Sequence, residues 1–278
     1  MTLPKTQTLQ PRMAGDLLYY TFPSFDRLGF VRHGFSTRLG GVSGGTFASM
    51  NLSFTRGDDP EAVAENFRRF CAAIGVDAEQ VVVSAQTHTD NVYNVTRADC
   101  GRGVTRERGY TDIDGLITDE PGVVLCTQYA DCVPLFFVDP VRRVVATSHA
   151  GWRGTAAGIG AVTVERMVSD YGCRREDILA GIAPSIGKCC FEVDTPVFDA
   201  FCKVPVFDDG CFTADPGDKF HIDLWEVNRR HLLSVGVKPE NITVTDLCTK
   251  CHPEVFWSHR ITGDARGSLA AFIGISEE

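Results

Sequence analysis

The stretch Val144-Val145-Ala146-Thr147-Ser148-His149-Ala150-Gly151-Trp152-Arg153-Gly154 changes character part-way along. Val144 to Thr147 is a β-rich run of branched and small apolar residues. Beyond Gly154, Ala157, Ala161, Val164 and Val168 recur at offsets 0, 4, 7 and 11, the spacing of one helical face, through Tyr171. A strand that gives way to a helix near His149 places that imidazole at a strand end or in its loop. The free backbone N–H groups of the helix's first turn would then point toward the same place, which suits an anion.

Working outward, Leu17 to Phe22 and Val31 to Ser36 read as strands, and Val63, Phe67, Phe70, Cys71 and Ile74 mark a helix between Pro60 and Gly75. Short β-rich runs follow at 81–83, 92–95, 115–118, 123–125 and 133–138, with a strand at 178–182, a helix over about 223–235, and strands at 242–244 and 270–275. Strands and helices mixed without strict alternation predict an α+β fold. No repeat and no Pro/Ser-rich linker divides the chain, so the expectation is a loose N-terminal tail over 1–16 and a single domain over 17–278.

Composition narrows the class. With 278 residues, 44% hydrophobic and 23% charged, the chain reads as a soluble globular protein. A net charge of -9 argues against a general nucleic-acid or anionic-membrane surface. The eleven cysteines are odd in number and the N-terminus carries no apolar signal core, so free thiols in a reducing cytoplasm are expected. No apolar run approaches the roughly 20 residues that span a bilayer.

Three residues carry candidate chemistry: His88 in Gln86-Thr87-His88, Cys132 in Ala130-Asp131-Cys132, and His149. Two imidazoles and a thiolate are donors that zinc takes, and three protein ligands leave a position open for water or substrate. Each also has a plain structural reading, the histidines as hydrogen-bonded groups and the cysteine as packing. Cys132 with His149 would alternatively make a thiolate–imidazolium pair, as in metal-free cysteine hydrolases and deamidases. A binding module without turnover is the non-enzymatic alternative.

His33-Gly34-Phe35-Ser36-Thr37-Arg38, Gly40-Gly41-Val42-Ser43 and Asn51-Leu52-Ser53 open a series of blocks. It continues through Gln86-Thr87-His88, Asp114 to Thr118, Ala130 to Pro134, His149 to Thr155, Gly181 to Gly187, Cys189 to Val193 and Phe256 to Arg260. In this order they resemble the laccase-domain, or polyphenol-oxidase-like, family from about residue 30 onward. The resemblance implies a compact layered α/β/β/α fold and zinc on His88, Cys132 and His149. It also implies phosphorolysis of purine nucleosides (adenosine, inosine, methylthioadenosine), with an accompanying adenosine deaminase activity. The expected small-molecule partners are therefore a purine nucleoside and inorganic phosphate.

Phosphorolysis needs a phosphate held beside the ribose, and Arg38, in a Gly-rich loop, offers the bidentate fork for it. Arg153 is a second substrate-binding candidate or a structural clamp. Asn51 has donors and an acceptor to orient the substrate. For deamination, a carboxylate must move a proton, and Asp131, Asp90 and Asp114 are the candidates. Asp131 joins His88, Cys132 and His149 in the expected catalytic set, although in a strand it would face away from its neighbour Cys132. Trp152 is a stacking or packing residue.

Other signals lead nowhere. Cys248-Thr249-Lys250-Cys251-His252 matches the c-type haem pattern, but the export signal that such attachment requires is missing. The zinc-deaminase signature is absent, because Asp90 stands where it needs Glu and no Pro precedes Cys248. Seven histidines without a His-x-His pair cannot furnish a multicopper assembly, though a single copper at the His88/Cys132/His149 donors is conceivable. Adjacent Cys189 and Cys190 default to packing.

Overall fold

The computed structural model describes residues 3–277. Alternation along the strands sorts side chains to two faces, and that sorting builds the layers. In β8 (Val133–Asp139), Leu135 and Phe137 point one way, Phe136 and Val138 the other, and all are buried. β8 is central to a six-stranded mixed sheet in the order β14 (Ile242–Val244), β10 (Leu179–Ile182), β8, β9 (Val144–Ala150), β6 (Gly115–Thr118), β5 (Val92–Asn94). The second six-stranded sheet runs β1 (Gln10–Ala14), β2 (Leu17–Thr21), β3 (Val31–Ser36), β15 (Leu269–Ile275), β7 (Val124–Tyr129), β4 (Val81–Val83).

The two sheets face each other across a core that includes Phe136, Val138 and Val145 from one, and Phe35, Leu125, Ala271 and Ile273 from the other. The reverse face of β15 carries Ala270 and Phe272 against α2 (Pro60–Ile74). The Phe70 and Phe272 rings stack with centroids 4.6 Å apart. On the far side, α4 (Ile159–Tyr171) and α6 (Leu224–Ser234) pack Val164, Met167, Val227 and Leu232 onto Leu135, Phe137 and Ala146. The result is the α+β, helix/sheet/sheet/helix layering. Shorter elements complete it: α1 (Pro23–Asp26), α3 (Trp152–Ala157), α5 (Thr195–Phe201), α7 (His259–Thr262) and a small sheet of β11 (Glu192–Asp194), β13 (Lys219–Ile222) and β12 (Phe212–Asp215).

Local chemistry explains the clear boundaries. Asp59 caps α2 by accepting from Glu61 N at 3.0 Å, Pro60 opens it, and Gly75 closes it with φ 75°. Two expectations need correction. The presumed tail over 1–16 includes β1, whose exposed residues pair antiparallel with β2 from Gln10↔Thr21 to Ala14↔Leu17, so backbone pairing orders a segment that has no apolar face. Met1 and Thr2 of that tail, and Glu278, lie outside the described residues. The helix expected after Gly154 begins at Trp152 and is broken by Gly158 at φ 77°. Its buried face is Ile159, Gly160, Thr163, Val164 and Met167, while Ala157 is exposed. No helix among the described residues is long and apolar enough to cross a membrane.

Candidate active site between the sheets

β9 extends to Ala150, so His149 lies on the strand itself, in register with Pro134 of β8. It takes the face that β9 turns toward the other sheet, and its ring centroid is 5.4 Å from that of Tyr129 on β7. Cys132 immediately precedes β8, after Asp131 at φ 81°. His88 comes from the loop after β4 and is also left-handed, at φ 68°. One ligand atom from each of His88, Cys132 and His149 falls within 4.8 Å of the others. The rings of His88 and His149 meet edge to face at 4.9 Å.

Asp114, fully buried, arranges the trio. Its Oδ1 faces His149 Nδ1 at 2.7 Å and accepts from His88 N at 3.1 Å. Its Oδ2 accepts from Thr87 N at 2.8 Å and from Thr89 N at 3.1 Å. The His88 loop and the His149 ring thus share one carboxylate, and His149 keeps Nε2 for another partner. Burial alone would push His149 down, but the Cys132 sulfur and the Asp114 carboxylate outweigh it and raise it to about 9. His88 is lowered by its own burial and by the neighbouring His149. Asp114 is held below the usual carboxylate range, because hydrogen bonds from His149 and the Thr87–Thr89 backbone overcome its desolvation.

Gly151 is what lets the three converge. A Cβ there would run into His88 Nδ1 and come within 3.2 Å of Cys132 Sγ. Convergence of nitrogen, sulfur and nitrogen donors, a carboxylate fixing one imidazole, and an open side toward a cavity fit a catalytic rather than a closed metal site. The cavity, about 470 Å³, opens beside these residues. Trp152, Ile186, Phe191 and Leu224 give it apolar walls, and Arg56, Arg108, Arg260 and Arg266 bring positive charge.

The other expected site residues fall elsewhere. Arg38 does not line the cavity: it donates to Pro253 O (2.9 Å) and Ala48 O (3.0 Å) and stacks 3.8 Å from the Trp257 ring centre. Asn51 is wholly buried, accepting from Ser53 N and Ser268 N and donating to Asp58. Both fix the loops that border the site. Arg153 is exposed, lies over Trp152 at 4.1 Å and also stays outside the cavity lining. Asp131 does border the cavity, yet it accepts from Thr249 Oγ1 (2.6 Å), Ser258 Oγ (3.0 Å) and Arg260 N (2.6 Å), which makes it a loop anchor. Asp90 is exposed and does not line the cavity.

Sequence reasoning missed the arginines. Arg56 Nε is buried without a hydrogen-bond partner among the described residues, while Arg56 Nη1 lies 3.4 Å from Asp264. Arg266 is buried and lowered to about 10, by desolvation first and by the like charge of Arg56 second. Arg56 follows the Asn51-Leu52-Ser53 block closely, and Arg260 closes the Phe256 to Arg260 block; that adjacency was the available signal.

The model of the multi-copper polyphenol oxidoreductase laccase family matches residues 32–276. The chain belongs to this laccase family. Among its relatives, "Purine nucleoside phosphorylase YlmD" of Bacillus subtilis is 37% identical over 245 residues, 88% of each chain. The protein of the same name from Geobacillus stearothermophilus is 38% identical, covering 88% of this chain and 90% of its own. The crystal structure of YlmD from Geobacillus stearothermophilus superposes with a TM-score of 0.89 at 35% identity, covering 97% of this chain and 99% of that one. The Bacillus licheniformis hypothetical protein YfiH gives 0.90 at 35% identity, over 96% and 99%. The fold of this laccase-family chain is therefore that of compact solved relatives. Despite the family's name, the only group of metal-ligating side chains among its described residues that lines this cavity is His88, Cys132 and His149.

Proposed function

We propose that this chain splits purine nucleosides with inorganic phosphate, giving free base and ribose 1-phosphate, at a zinc ion held by His88, Cys132 and His149. One observation carries the reading: a single cavity joins this donor set to two cationic side chains, Arg56 and Arg266, with the Arg56 Nε–H lacking an acceptor. Such a pair calls for an oxyanion, and phosphate offers oxygens to both guanidinium groups. In the reaction the C1′–N glycosidic bond breaks, a phosphate oxygen bonds to C1′, and the departing base takes up a proton. Arg56 and Arg266 hold the nucleophile and neutralise its charge. Trp152 and Phe191 supply the apolar surface for the base. When bound, the ion supplies a Lewis acid at one cavity wall. The names of the Bacillus subtilis and Geobacillus relatives agree with this substrate class.

Adenosine deamination is proposed as a side activity. Asp131 and Asp114 both hold several fixed hydrogen bonds, which favours another group as the proton shuttle of that step. Copper suits the same donors. The runner-up is a metal-free cysteine hydrolase, favoured by the Cys132–His149–Asp114 arrangement with His149 raised to about 9. It leaves His88 without a task.

The test is chromatography of adenosine and inosine incubated with the protein, with and without phosphate, alongside metal analysis. Phosphate-dependent base release and about one metal ion at this site, both lost in Cys132→Ser, are expected. An Arg56→Met variant should raise the KM for phosphate at least ~10-fold, the weight of about 1.4 kcal/mol. Base release that ignores phosphate, or full activity in metal-free protein, would refute the reading.

A further inference from the structure

A second set of thiols lies away from the His88/Cys132/His149 group. Cys189 and Cys190 sit in the turn between β10 and β11, and Cys248 and Cys251 in the turn after β14. The turns are stitched together by backbone: Ser185 and Cys248 form a parallel bridge, and Thr249 N donates to Ser185 O at 3.0 Å. All four sulfurs lie within 4.8 Å of one another. Cys251 Sγ is 3.6 Å from Cys189 Sγ and 3.5 Å from Cys190 Sγ. All four are free thiols, so no disulfide accounts for their convergence.

The spacing is informative. Four sulfurs at about 2.3 Å from a tetrahedral ion stand about 3.8 Å from one another. The Cys251 contacts come within a few tenths of an ångström of that edge. A polynuclear iron–sulfur cluster, with several metal ions between its thiolates, would hold them further apart. Cys248 supplies a further sign, because its sulfur accepts a backbone N–H bond from Gly187 at 3.3 Å. The Cys248–Cys251 turn is a C-x2-C loop, and the Gly187 amide of the facing turn points at its first sulfur, an arrangement that stabilises a bound thiolate.

We propose that Cys189, Cys190, Cys248 and Cys251 bind one zinc ion as a structural tetrathiolate site, separate from the ion at His88, Cys132 and His149. Four thiolate ligands close the coordination sphere, so this ion takes no substrate. It ties two turns that underlie the cavity. Ile186 and Phe191, flanking the first turn, line the cavity, and Thr249, inside the second, donates to Asp131 next to Cys132. Cys189 and Cys251 are exposed, which gives zinc a route in and out. The inference does not depend on the reaction proposed above.

The test is zinc content of the reduced full-length chain after loading with zinc and desalting, compared among wild type, Cys132→Ser and Cys251→Ser. About two zinc ions per chain are expected in the wild type and about one in each variant. Cobalt(II) loading gives a second reading: strong sulfur-to-cobalt absorption should persist in Cys132→Ser and fall sharply in Cys251→Ser. Should Cys251→Ser fail to fold, Cys251→His keeps a fourth donor and should retain the ion with weaker charge-transfer absorption. Zinc should also protect Cys189, Cys190 and Cys251 of the wild type from alkylation, mapped by peptide mass. Equal zinc content in wild type and Cys251→Ser, unprotected thiols in zinc-loaded protein, or a disulfide among these cysteines in freshly isolated protein would each overturn the proposal.

Discussion

Every acceptor position that matters on Asp114 is taken: one oxygen serves His149 and His88 N, the other Thr87 N and Thr89 N. An amide cannot accept on both sides, so Asp114→Asn must turn an NH2 group toward a donor. It is expected to weaken metal affinity by ~10–100-fold, measured by competition with a chromogenic chelator; unchanged affinity would mean that Asp114 does not orient the donors. His88, Cys132 and His149 were legible in the sequence because their residue types and flanking blocks are distinctive. Arg56 and Arg266 were not, because an arginine in an irregular loop reads as solvated, and only tertiary structure reveals that a guanidinium is buried beside a like charge. For Arg38 the glycine-rich loop suggests a phosphate ligand, and the structure adds what the sequence does not carry: neighbouring carbonyls and Trp257 engage its fork.

Among the elements, α2 was readable end to end because its apolar period, its Asp59 cap and its Gly75 stop all agree. The helix after β9 was misphased, since alanines carry a weak apolar signal and Ala157 belongs to the exposed end of α3. Gly158 makes that break, at φ 77° and with the His231 ring 3.2 Å from where a Cβ would stand. Gly158→Ala is expected to cost about 1–2 kcal/mol, read as a lower urea midpoint at unchanged slope; a neutral substitution would show that α3 and α4 tolerate a continuous path. The small sheet β11–β13–β12 escaped notice because its strands are only three or four residues long, with one buried residue at most in each and so no buried alternation to betray them.

At the scale of the molecule, the two-sheet core places a histidine where it cannot easily be charged. His33 on β3 is buried against Phe22 and Phe25, and its Nε2 accepts from Phe22 N at 2.9 Å. Desolvation lowers it from 6.5 to about 4, with Asp26, 3.9 Å away, opposing part of the shift. The folded state therefore binds this proton less readily than the unfolded chain. Its contribution to stability is complete above pH 6.5 and is lost as pH falls toward about 4, by at most roughly 1.4 kcal/mol per unit. Denaturant titrations should show this slope in the wild type and a shallower one in His33→Gln, and identical slopes would exclude His33 as the source. The same layering brings β4, β8 and β9 together at one end of the sandwich, which is how residues 88, 132 and 149 meet. Phosphorus NMR of the protein with inosine and inorganic phosphate tests most directly whether that meeting place is a phosphorolytic site. A sugar-phosphate resonance growing in step with free hypoxanthine, and absent with Cys132→Ser, is predicted. Hypoxanthine appearing without any new phosphorus signal, or no reaction from metal-replete protein, would contradict it.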